Sequence, residues 1–204
     1  MKKLGEGYYY NVYEIENSKV IKKVKSKIRM YIFILISNYF NLKNAKKEYN
    51  SALENLKSLS EKYKNILNSI KDKSILGNPE FIDDLNYYQD KIKVIKKINK
   101  FSDQEFEKTC LDFAKLIHIL WSYKLSDSTF KLRNNYGYDK NGNLIIIDFD
   151  EIIFKKEEVK GQIENKFWLT RYFYKILSEN KKEIFKRIMD AEINLENLNK
   201  YWID

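Results

Sequence analysis

A hairpin near residue 140 constrains the fold of this 204-residue chain more than any other sequence feature. Its turn is Asp139-Lys140-Asn141-Gly142, in which Asn-Gly is a strong signal for a tight β-turn. The continuous apolar run Leu144 to Ile147 predicts a buried strand, which ends in Asp148-Phe149-Asp150-Glu151. The hairpin therefore predicts that Asn135, which precedes it, and Asp148, which follows it, lie close together.

Asn135 and Asp148 offer side-chain oxygen donors at the same end of this hairpin. Mg²⁺ prefers oxygen ligands and binds readily to one or two protein groups together with nucleotide phosphates. The pair therefore indicates a metal site that works with a nucleotide. An ordinary Asn-Gly hairpin with a polar end explains the same residues without a ligand, and the sequence leaves both interpretations open.

Residues 4–24 predict three short antiparallel strands. A glycine-containing turn is followed by the alternating run Tyr8 to Ile15, a polar turn at Glu16-Asn17-Ser18 and a third strand, Lys19 to Val24. Alternation on the third strand places Val20, Lys22 and Val24 on one face and leaves Lys23 on the opposite, solvated face. Lys22 therefore shares its face with two valines, and Lys23 is a solvated charge.

Helices dominate the rest of the predicted fold. The pattern is helical from Lys27 to Ile70, breaks at the only proline, Pro79, and gives short strand-like pieces from Phe81 to Ile98. Residues 157–204 alternate charged with apolar residues, as helices do. A firmer helix starts at a capping-box pattern, Ser102 with Glu105, and its apolar stripe consists of Phe106, Cys110, Phe113, Ala114, Ile117, Leu120 and Trp121.

The order of these motifs resembles the protein-kinase-like superfamily, in particular a short, atypical member similar to aminoglycoside-type or lipopolysaccharide-core heptose kinases. Leu4-Gly5-x-Gly7-x-Tyr9-x-x-Val12 resembles the kinase glycine loop, and Val20-x-Lys22 resembles the VAIK strand. The resemblance implies an α+β, two-lobed kinase-like fold, with a small antiparallel-sheet N-lobe at residues 1–98 and a reduced, mainly helical C-lobe at residues 99–204. It also implies ATP and Mg²⁺ as cofactors, and phosphotransfer to a small hydroxylated, saccharide-type or glycolipid acceptor.

The resemblance further implies a role for each matching residue. Asn135 and Asp148 would bind the metal, Lys22 would hold the phosphates, and Glu48 on the following helix would orient Lys22. Asp127 would accept the proton of the acceptor hydroxyl, so that Asp127, Lys22 and Asp148 form the catalytic set. The implied nucleotide-binding residues are Gly5, Gly7, Tyr9, Val12, Val20, Lys22 and Glu48.

The sequence departs from the kinase pattern at the glycine loop and at the catalytic base. Tyr10 stands where the third glycine is found, and Phe130 stands where kinases have the base, five residues before Asn135. Asp127 lies three residues further upstream, where it equally fits a turn cap with Ser128 and Thr129. The missing base makes a pseudokinase the alternative: a scaffold or sensor that binds nucleotide without turnover.

The net charge of +9 favours polyanionic partners, although the lysine-rich composition of an AT-biased genome explains such an excess equally well. Charges and aromatic residues look spread along the chain, which disfavours a nucleic-acid-binding protein. The apolar run Met30 to Phe40 is shorter than the about 20 residues needed to span a bilayer. Because Lys25, Lys27 and Arg29 precede it, the run is compatible with peripheral contact with an anionic membrane, and a buried helix is the other interpretation.

The single cysteine, Cys110, excludes an internal disulfide and fits a reducing compartment. No charged region, apolar stretch and cleavage site follow one another at the start of the sequence, as they do in a signal peptide. We therefore expect a cytoplasmic protein, with peripheral contact at the inner membrane face as the alternative location.

Overall fold

Two units make up the chain, one spanning Met1–Asn68 and Asn78–Lys91 and the other Ser69–Gly77 and Ile92–Asp204. This computed structural model describes residues 1–7, 9–15 and 18–203. Both units combine helices with antiparallel strands, which confirms the predicted α+β class. The sequence predicts a boundary at residues 98 and 99, whereas the contacts divide the chain after Lys91 and assign residues 69–77 to the second unit.

An antiparallel five-stranded sheet forms the centre of the first unit, in the order β1-β2-β3-β5-β4. The strands are β1 (Lys2–Glu6), β2 (Tyr10–Glu14), β3 (Lys19–Val24), β4 (Glu80–Phe81) and β5 (Tyr87–Asp90). The three strands predicted within residues 4–24 are thereby confirmed. Tyr8, Glu16 and Asn17 lie outside the described residues, and with them most of the polar turn predicted at Glu16-Asn17-Ser18.

The helical run predicted from Lys27 to Ile70 forms two helices, α1 (Lys27–Ser37) and α2 (Leu42–Ser69). Ser26 caps α1 by accepting a hydrogen bond from the backbone N–H of Arg29. The chain turns between the helices through Tyr39 and Phe40, which both have positive φ, at 50° and 63°. Neither glycine nor proline marks this break, so the sequence pattern does not reveal it.

Apolar contacts hold the helices and the sheet of the first unit in place. Met30 and Ile34 of α1 and Ala45 and Ala52 of α2 form a buried cluster. Further along α2, the Tyr63 ring packs against the Tyr87 ring of β5 with centroids 5.9 Å apart. These contacts bury one face of each helix, as an amphipathic pattern requires.

Two small antiparallel sheets lie in the second unit. One consists of β6 (Lys93–Val94), β8 (Tyr136–Tyr138) and β9 (Leu144–Ile146), and the other pairs β7 (Ser126–Asp127) with β10 (Ile152–Ile153). The pairs β8–β9 and β7–β10 place the loops around Asp127, Asn135 and Asp148 beside one another.

Gly137 allows β6 to pair with β8. A Cβ atom at this position would lie 2.5 Å from Cγ2 of Ile92 and 2.7 Å from the carbonyl oxygen of Lys93. Both distances are shorter than van der Waals contact, so the close approach of the two strands requires glycine here.

Helix α3 (Asp103–Ser122) is the central helix of the second unit, and its predicted capping box is confirmed. The Ser102 hydroxyl accepts from the Glu105 N–H, and the Glu105 carboxylate accepts from the Ser102 N–H at 2.8 Å. All residues of the predicted apolar stripe are buried. The predicted helical end of the chain is confirmed by α4 (Lys156–Glu164), α5 (Tyr172–Lys175), α6 (Glu179–Glu192) and α7 (Leu195–Tyr201).

Short 3₁₀ helices at Lys73–Leu76, Ile98–Lys100 and Phe167–Thr170 complete the described secondary structure of the second unit. Across residues 1–7, 9–15 and 18–203, no helix has the length and apolar character needed to cross a membrane.

Candidate functional site

The β8–β9 hairpin connects Asn135 with the acidic sequence that follows β9. The backbone N–H of Ile147 donates to the carbonyl of Asn135 at 2.8 Å, so Asn135 lies opposite the residue that precedes Asp148. In the turn, Asp139 accepts hydrogen bonds from the N–H groups of Asn141 and Asn143, and Gly142 adopts a φ of 82°. Local turn chemistry therefore holds the two predicted metal ligands at one end of the hairpin.

Glu151 is the carboxylate that the Asn135 side chain contacts. The Asn135 amide donates through Nδ2 to Oε2 of Glu151, and the Asn135 residue itself is buried. The other carboxylate oxygen, Oε1, lies 3.3 Å from Nζ of Lys131. The Glu151 side chain is 33% exposed, so it is accessible to a small molecule.

Asp127 is buried, with 3% of its surface exposed, and both of its carboxylate oxygens accept hydrogen bonds. Oδ1 accepts from the backbone N–H and the hydroxyl of Thr129, at 2.8 and 2.9 Å. Oδ2 accepts from the Tyr136 hydroxyl at 2.5 Å. The contact with Thr129 is the turn cap considered from the sequence, and the contact with Tyr136 comes from the hairpin.

The Thr129 hydroxyl connects the two carboxyl groups, because it also lies 3.0 Å from Oε2 of Glu151. A hydroxyl donates a single proton, so it can donate to only one of the two carboxyl groups at a time. The contact with the second carboxyl group is a hydrogen bond only when that carboxyl group is protonated and donates to the Thr129 oxygen. We call Asp127, Thr129, Asn135, Tyr136 and Glu151 the carboxylate network.

Burial determines how the network titrates. Desolvation raises the pKa of Asp127, and the negative charge of Glu151 raises it further, whereas the hydrogen bonds from Tyr136 and Thr129 oppose the shift. The pKa of Tyr136 is raised well above its ordinary value, by burial first and by the charge of Asp127 second. Tyr136 therefore stays protonated and serves as a hydrogen-bond donor.

The loop after Asp127 is held on several sides. The N–H of Ser128 donates to the carbonyl of Glu151, and the carbonyl of Ser128 accepts from Nε2 of Gln162, both at 2.8 Å. Nε of Arg171 donates to the carbonyl of Thr129 at 3.0 Å. These bonds hold the network in one arrangement before any ligand binds.

Phe130 has a strained backbone with a φ of 46°, and its side chain is completely buried. A bulky residue in this region costs on the order of 1–3 kcal/mol. Its ring contacts the rings of Phe113 and Trp168 edge-on, so the position where kinases have their base serves as a packing anchor.

Lys22 lies in the middle of β3, opposite Val12 on β2 and Tyr87 on β5, and it is buried. Its Nζ lies 5.3 Å from the centroid of the Tyr87 ring. Val20, on the same face of the strand, is also buried, and Lys23 is exposed as predicted. Glu48 is half-buried, and its carboxylate accepts from Nδ2 of Asn38 at 2.6 Å.

The predicted glycine loop overlaps the end of β1: Gly5 lies within the strand, Gly7 follows it, and the strand has a bulge between Lys3 and Gly5. Neither Gly5 nor Gly7 has positive φ, and a Cβ atom at either one would meet nothing closer than 4.0 Å. The fold itself therefore does not require glycine at these positions. The N–H of Gly7 donates to the carbonyl of Tyr10, and Tyr9 packs against the buried cluster of α1 and α2.

Sequence reasoning missed an ion pair beside this loop, in which the lysine is buried and the glutamate is exposed. Nζ of Lys25 lies 2.7 Å from Oε1 of Glu6, and the Lys25 side chain is completely buried. The same ammonium lies 3.5 Å from the centroid of the Phe33 ring. Strand alternation gave no signal for this pair, because Lys25 follows the last residue of β3.

The predicted residues thus fall into two groups. Gly5, Gly7, Tyr9, Val12, Val20, Lys22 and Glu48 belong to the first unit, and Asp127, Asn135 and Asp148 belong to the second. Within residues 1–7, 9–15 and 18–203, no three His, Cys, Asp or Glu side chains come together as a metal site. One carboxylate and one amide oxygen do fit Mg²⁺ that arrives with nucleotide phosphates, because such an ion takes few protein ligands.

No protein-family model matches this chain, and no curated protein matches it in sequence.

Proposed function

We propose that this chain is an ATP- and Mg²⁺-dependent phosphotransferase that acts on the hydroxyl group of a small acceptor. The observation that carries the proposal is the carboxylate network, in which buried Asp127 is linked through the Thr129 hydroxyl to the accessible Glu151. Transfer of a phosphoryl group to an alcohol releases the hydroxyl proton, which a positioned carboxylate can take up. The network offers such a carboxylate next to Asn135 and Asp148.

Each expected nucleotide-binding residue keeps the role that the kinase resemblance implies. Lys22 and the backbone at Gly5 would contact phosphates, with Glu48 as the expected orienting group. Asn135, through Oδ1, and Asp148 would hold Mg²⁺, which when bound neutralises phosphate charge. Glycine at position 5 supports this assignment, because nothing in the fold explains it and close approach to a phosphate would.

The proton of the acceptor would enter the network at Glu151, its exposed end. Nζ of Lys131 lies 3.3 Å from Oε1 of Glu151, and the Asn135 amide donates a hydrogen bond to the same carboxylate. Asp127 is the buried end, and burial raises its pKa, so it holds a proton more readily than an exposed carboxyl group does. The Thr129 hydroxyl, in contact with both carboxyl groups, lets protonation of one affect the other.

The acceptor class is argued from the short connection after the hairpin. Strand β10 starts at Ile152, so only residues 149–151 separate it from Asp148. Such a connection offers little surface on which a peptide could dock. A small hydroxylated or saccharide-type acceptor therefore suits the site better than a protein.

ATP binding and ATP turnover, measured separately, test the proposal. Asp148→Ala should abolish the Mg²⁺-dependent thermal shift caused by ATP. Glu151→Gln should leave that shift intact and reduce phosphoryl transfer to a sugar panel by at least about tenfold, as expected for loss of a general base. Glu164→Gln changes an exposed acid of the same unit and serves as the control. No Mg²⁺-dependent shift with any nucleoside triphosphate would refute the proposal.

A second candidate function is nucleotide binding without turnover, as in a sensor or scaffold. It is favoured by the burial of Asp127, whose carboxylate oxygens already accept three hydrogen bonds and leave no room for a substrate hydroxyl. This candidate predicts an ATP-induced thermal shift without consumption of ATP. ATP consumption that disappears in Glu151→Gln or Asp127→Asn would contradict it.

A further inference from the structure

The whole net charge of the protein lies in one segment. Residues 17–47 contain nine Lys and Arg residues and no Asp or Glu, so this segment alone carries the net charge of +9. Without these nine, the 38 basic residues of the chain fall to 29, which equals the number of acidic residues. Charged residues of both signs occur along the rest of the chain, so it is the net charge that is concentrated in this segment.

Helix α1, within this segment, has an apolar face that no described residue covers. Ile28, Ile32 and Ile36 are 74%, 49% and 56% exposed. Residues spaced by four share one face of a helix, and this face points away from Met30 and Ile34, which are completely buried. The helix thus buries one apolar face in the first unit and exposes a second one to its surroundings.

Exposed aromatic and aliphatic side chains continue this face beyond the helix. Tyr39, Phe40 and Leu42 are 94%, 69% and 65% exposed. Tyr39 and Phe40 have positive φ, a conformation that glycine or asparagine adopts at lower cost. The fold alone therefore does not account for aromatic residues at this turn.

Cations lie at the start of α1 and at the start of α2, on either side of these apolar residues in the chain. Lys27 and Arg29 lie in the first turn of α1, and Lys43, Lys46 and Lys47 lie in the first turns of α2. All five are exposed, and none forms an ion pair with another residue of the described part of the chain. We call these five cations, with Ile28, Ile32, Ile36, Tyr39, Phe40 and Leu42, the basic apolar surface.

We propose that the basic apolar surface binds an anionic lipid surface, with α1 lying in the plane of the interface. A helix that exposes aliphatic and aromatic residues flanked by lysine and arginine inserts its apolar face among lipid headgroups, while the cations contact the phosphates. Eleven residues give α1 a length of about 16 Å, which suits a helix lying on a bilayer.

Charge distinguishes lipid from the other occupants. A second copy of the chain would bring the same five exposed cations against those of the first, and like charges repel. A nucleic acid would neutralise the cations but leave the three isoleucines in water. An anionic bilayer offers phosphates to the cations and an apolar interior to the isoleucines. This inference is independent of the proposed phosphotransferase activity.

Flotation of the full chain with lipid vesicles tests the inference. At about 0.1 M salt, we expect the protein to float with vesicles of phosphatidylcholine that contain about 30% phosphatidylglycerol. It should not float with vesicles of phosphatidylcholine alone. The triple variant Ile28→Ser/Ile32→Ser/Ile36→Ser should bind about a hundredfold more weakly, as expected from the lost apolar insertion. Lys43→Ser/Lys46→Ser/Lys47→Ser should also bind at least about tenfold more weakly.

Matched controls change equivalent residues elsewhere. Ile82→Ser removes another exposed isoleucine of the first unit, and Lys71→Ser/Lys73→Ser/Lys140→Ser removes three exposed lysines outside the segment. Both controls should bind like wild type.

Four results would overturn the proposal. The first is equal binding to neutral and anionic vesicles, and the second is no flotation at all. The third is retention of binding in the isoleucine variant while RNA competes the protein off the vesicles, which would assign the cations to nucleic acid. A concentration-dependent dimer that the isoleucine variant abolishes, without vesicle binding, would assign the face to a second copy instead.

Asn variants keep the test valid if the serine variant unfolds. Tyr39→Asn/Phe40→Asn places a residue suited to positive φ at both positions of the turn, so the fold should be maintained. Its binding to anionic vesicles should still fall, because two exposed rings are lost. Unchanged binding of this variant, together with unchanged binding of a folded isoleucine variant, would refute the insertion of this surface.

Discussion

Replacing Asp127 by alanine and by asparagine should separate its hydrogen bonds from its charge. Alanine removes the acceptor of the Thr129 N–H and of the Tyr136 hydroxyl, and both donors are buried. The Thr129 hydroxyl keeps a second acceptor in Glu151. Asparagine has nearly the same volume as aspartate and retains an oxygen that accepts from Thr129.

The expected cost follows from the number of donors left without a partner. A buried donor that loses its acceptor costs about 1–3 kcal/mol, so two of them give about 2–6 kcal/mol for Asp127→Ala. Asp127→Asn weakens only the bond from Tyr136, at about 1 kcal/mol, and removes a buried charge. The alanine variant should therefore be less stable than the asparagine variant by at least about 2 kcal/mol.

The pH dependence has a definite sign. The pKa of Asp127 is raised by burial above its ordinary value of 3.8, so the folded state holds this proton more tightly than the unfolded state. The contribution of Asp127 to stability is thus fully present below pH 3.8 and is lost as pH rises through the folded-state pKa. Relative to wild type, Asp127→Asn should gain stability over the same range, because asparagine does not ionise.

Urea unfolding followed by tryptophan fluorescence measures these differences. Trp121, Trp168 and Trp202 are all buried in the second unit, so their emission reports on the part of the chain that contains Asp127. Equal free energies of unfolding for the alanine and asparagine variants would refute the hydrogen-bond network. A difference between wild type and Asp127→Asn that does not change with pH would refute the raised pKa.

Three further predictions follow from packing and charge. Gly137→Ala should destabilise the protein by about 3 kcal/mol in urea unfolding, because the new Cβ atom has no space. Gly161→Ala in α4, where space is open, should stabilise the protein by about 0.5–1 kcal/mol. The opposite order of stabilities would contradict the close strand approach. Burial raises the pKa of the Cys110 thiol, so a thiol reagent should react with it only after unfolding, and fast reaction with the native protein would count against this environment. Pairing with Lys25 lowers the pKa of Glu6 from 4.5 to about 2, so this pair should stabilise the fold above pH 4.5 and stabilise it less as pH falls toward 2. In acid unfolding followed by circular dichroism, the stability of Glu6→Gln should depend less on pH than that of wild type. An unchanged midpoint of acid unfolding would exclude the pair as a cause of acid sensitivity.

Local patterns predicted much of the secondary structure. The Asn-Gly turn, the capping box at Ser102 and the apolar stripe of α3 each depend on residues close in sequence, so the sequence alone identifies them. The break between α1 and α2 was not predictable in this way. It lies at Tyr39 and Phe40, two residues with positive φ that carry no turn signal of their own.

The candidate site shows the same difference. Sequence reasoning singled out Asp127, Asn135 and Asp148, because their order around a hairpin can be read directly from the sequence. It did not find the bridge from Thr129 to Glu151, since that contact depends on the pairing of β7 with β10. It also missed the ion pair between buried Lys25 and Glu6, since a charged residue at the end of a strand usually lies in water.

The hairpin with which the sequence analysis began is a property of the sequence by itself, because turn chemistry and an apolar strand specify it locally. The sequence by itself does not determine which of the two nearby carboxyl groups, Asp127 or Glu151, is buried. Tertiary structure alone decided that Asp127 lies out of water against Tyr136 while Glu151 stays partly exposed, and the cost of desolvating a charge depends on every segment packed around it. The pKa values and accessibility that any chemistry at this site requires are therefore set by packing between elements distant in sequence.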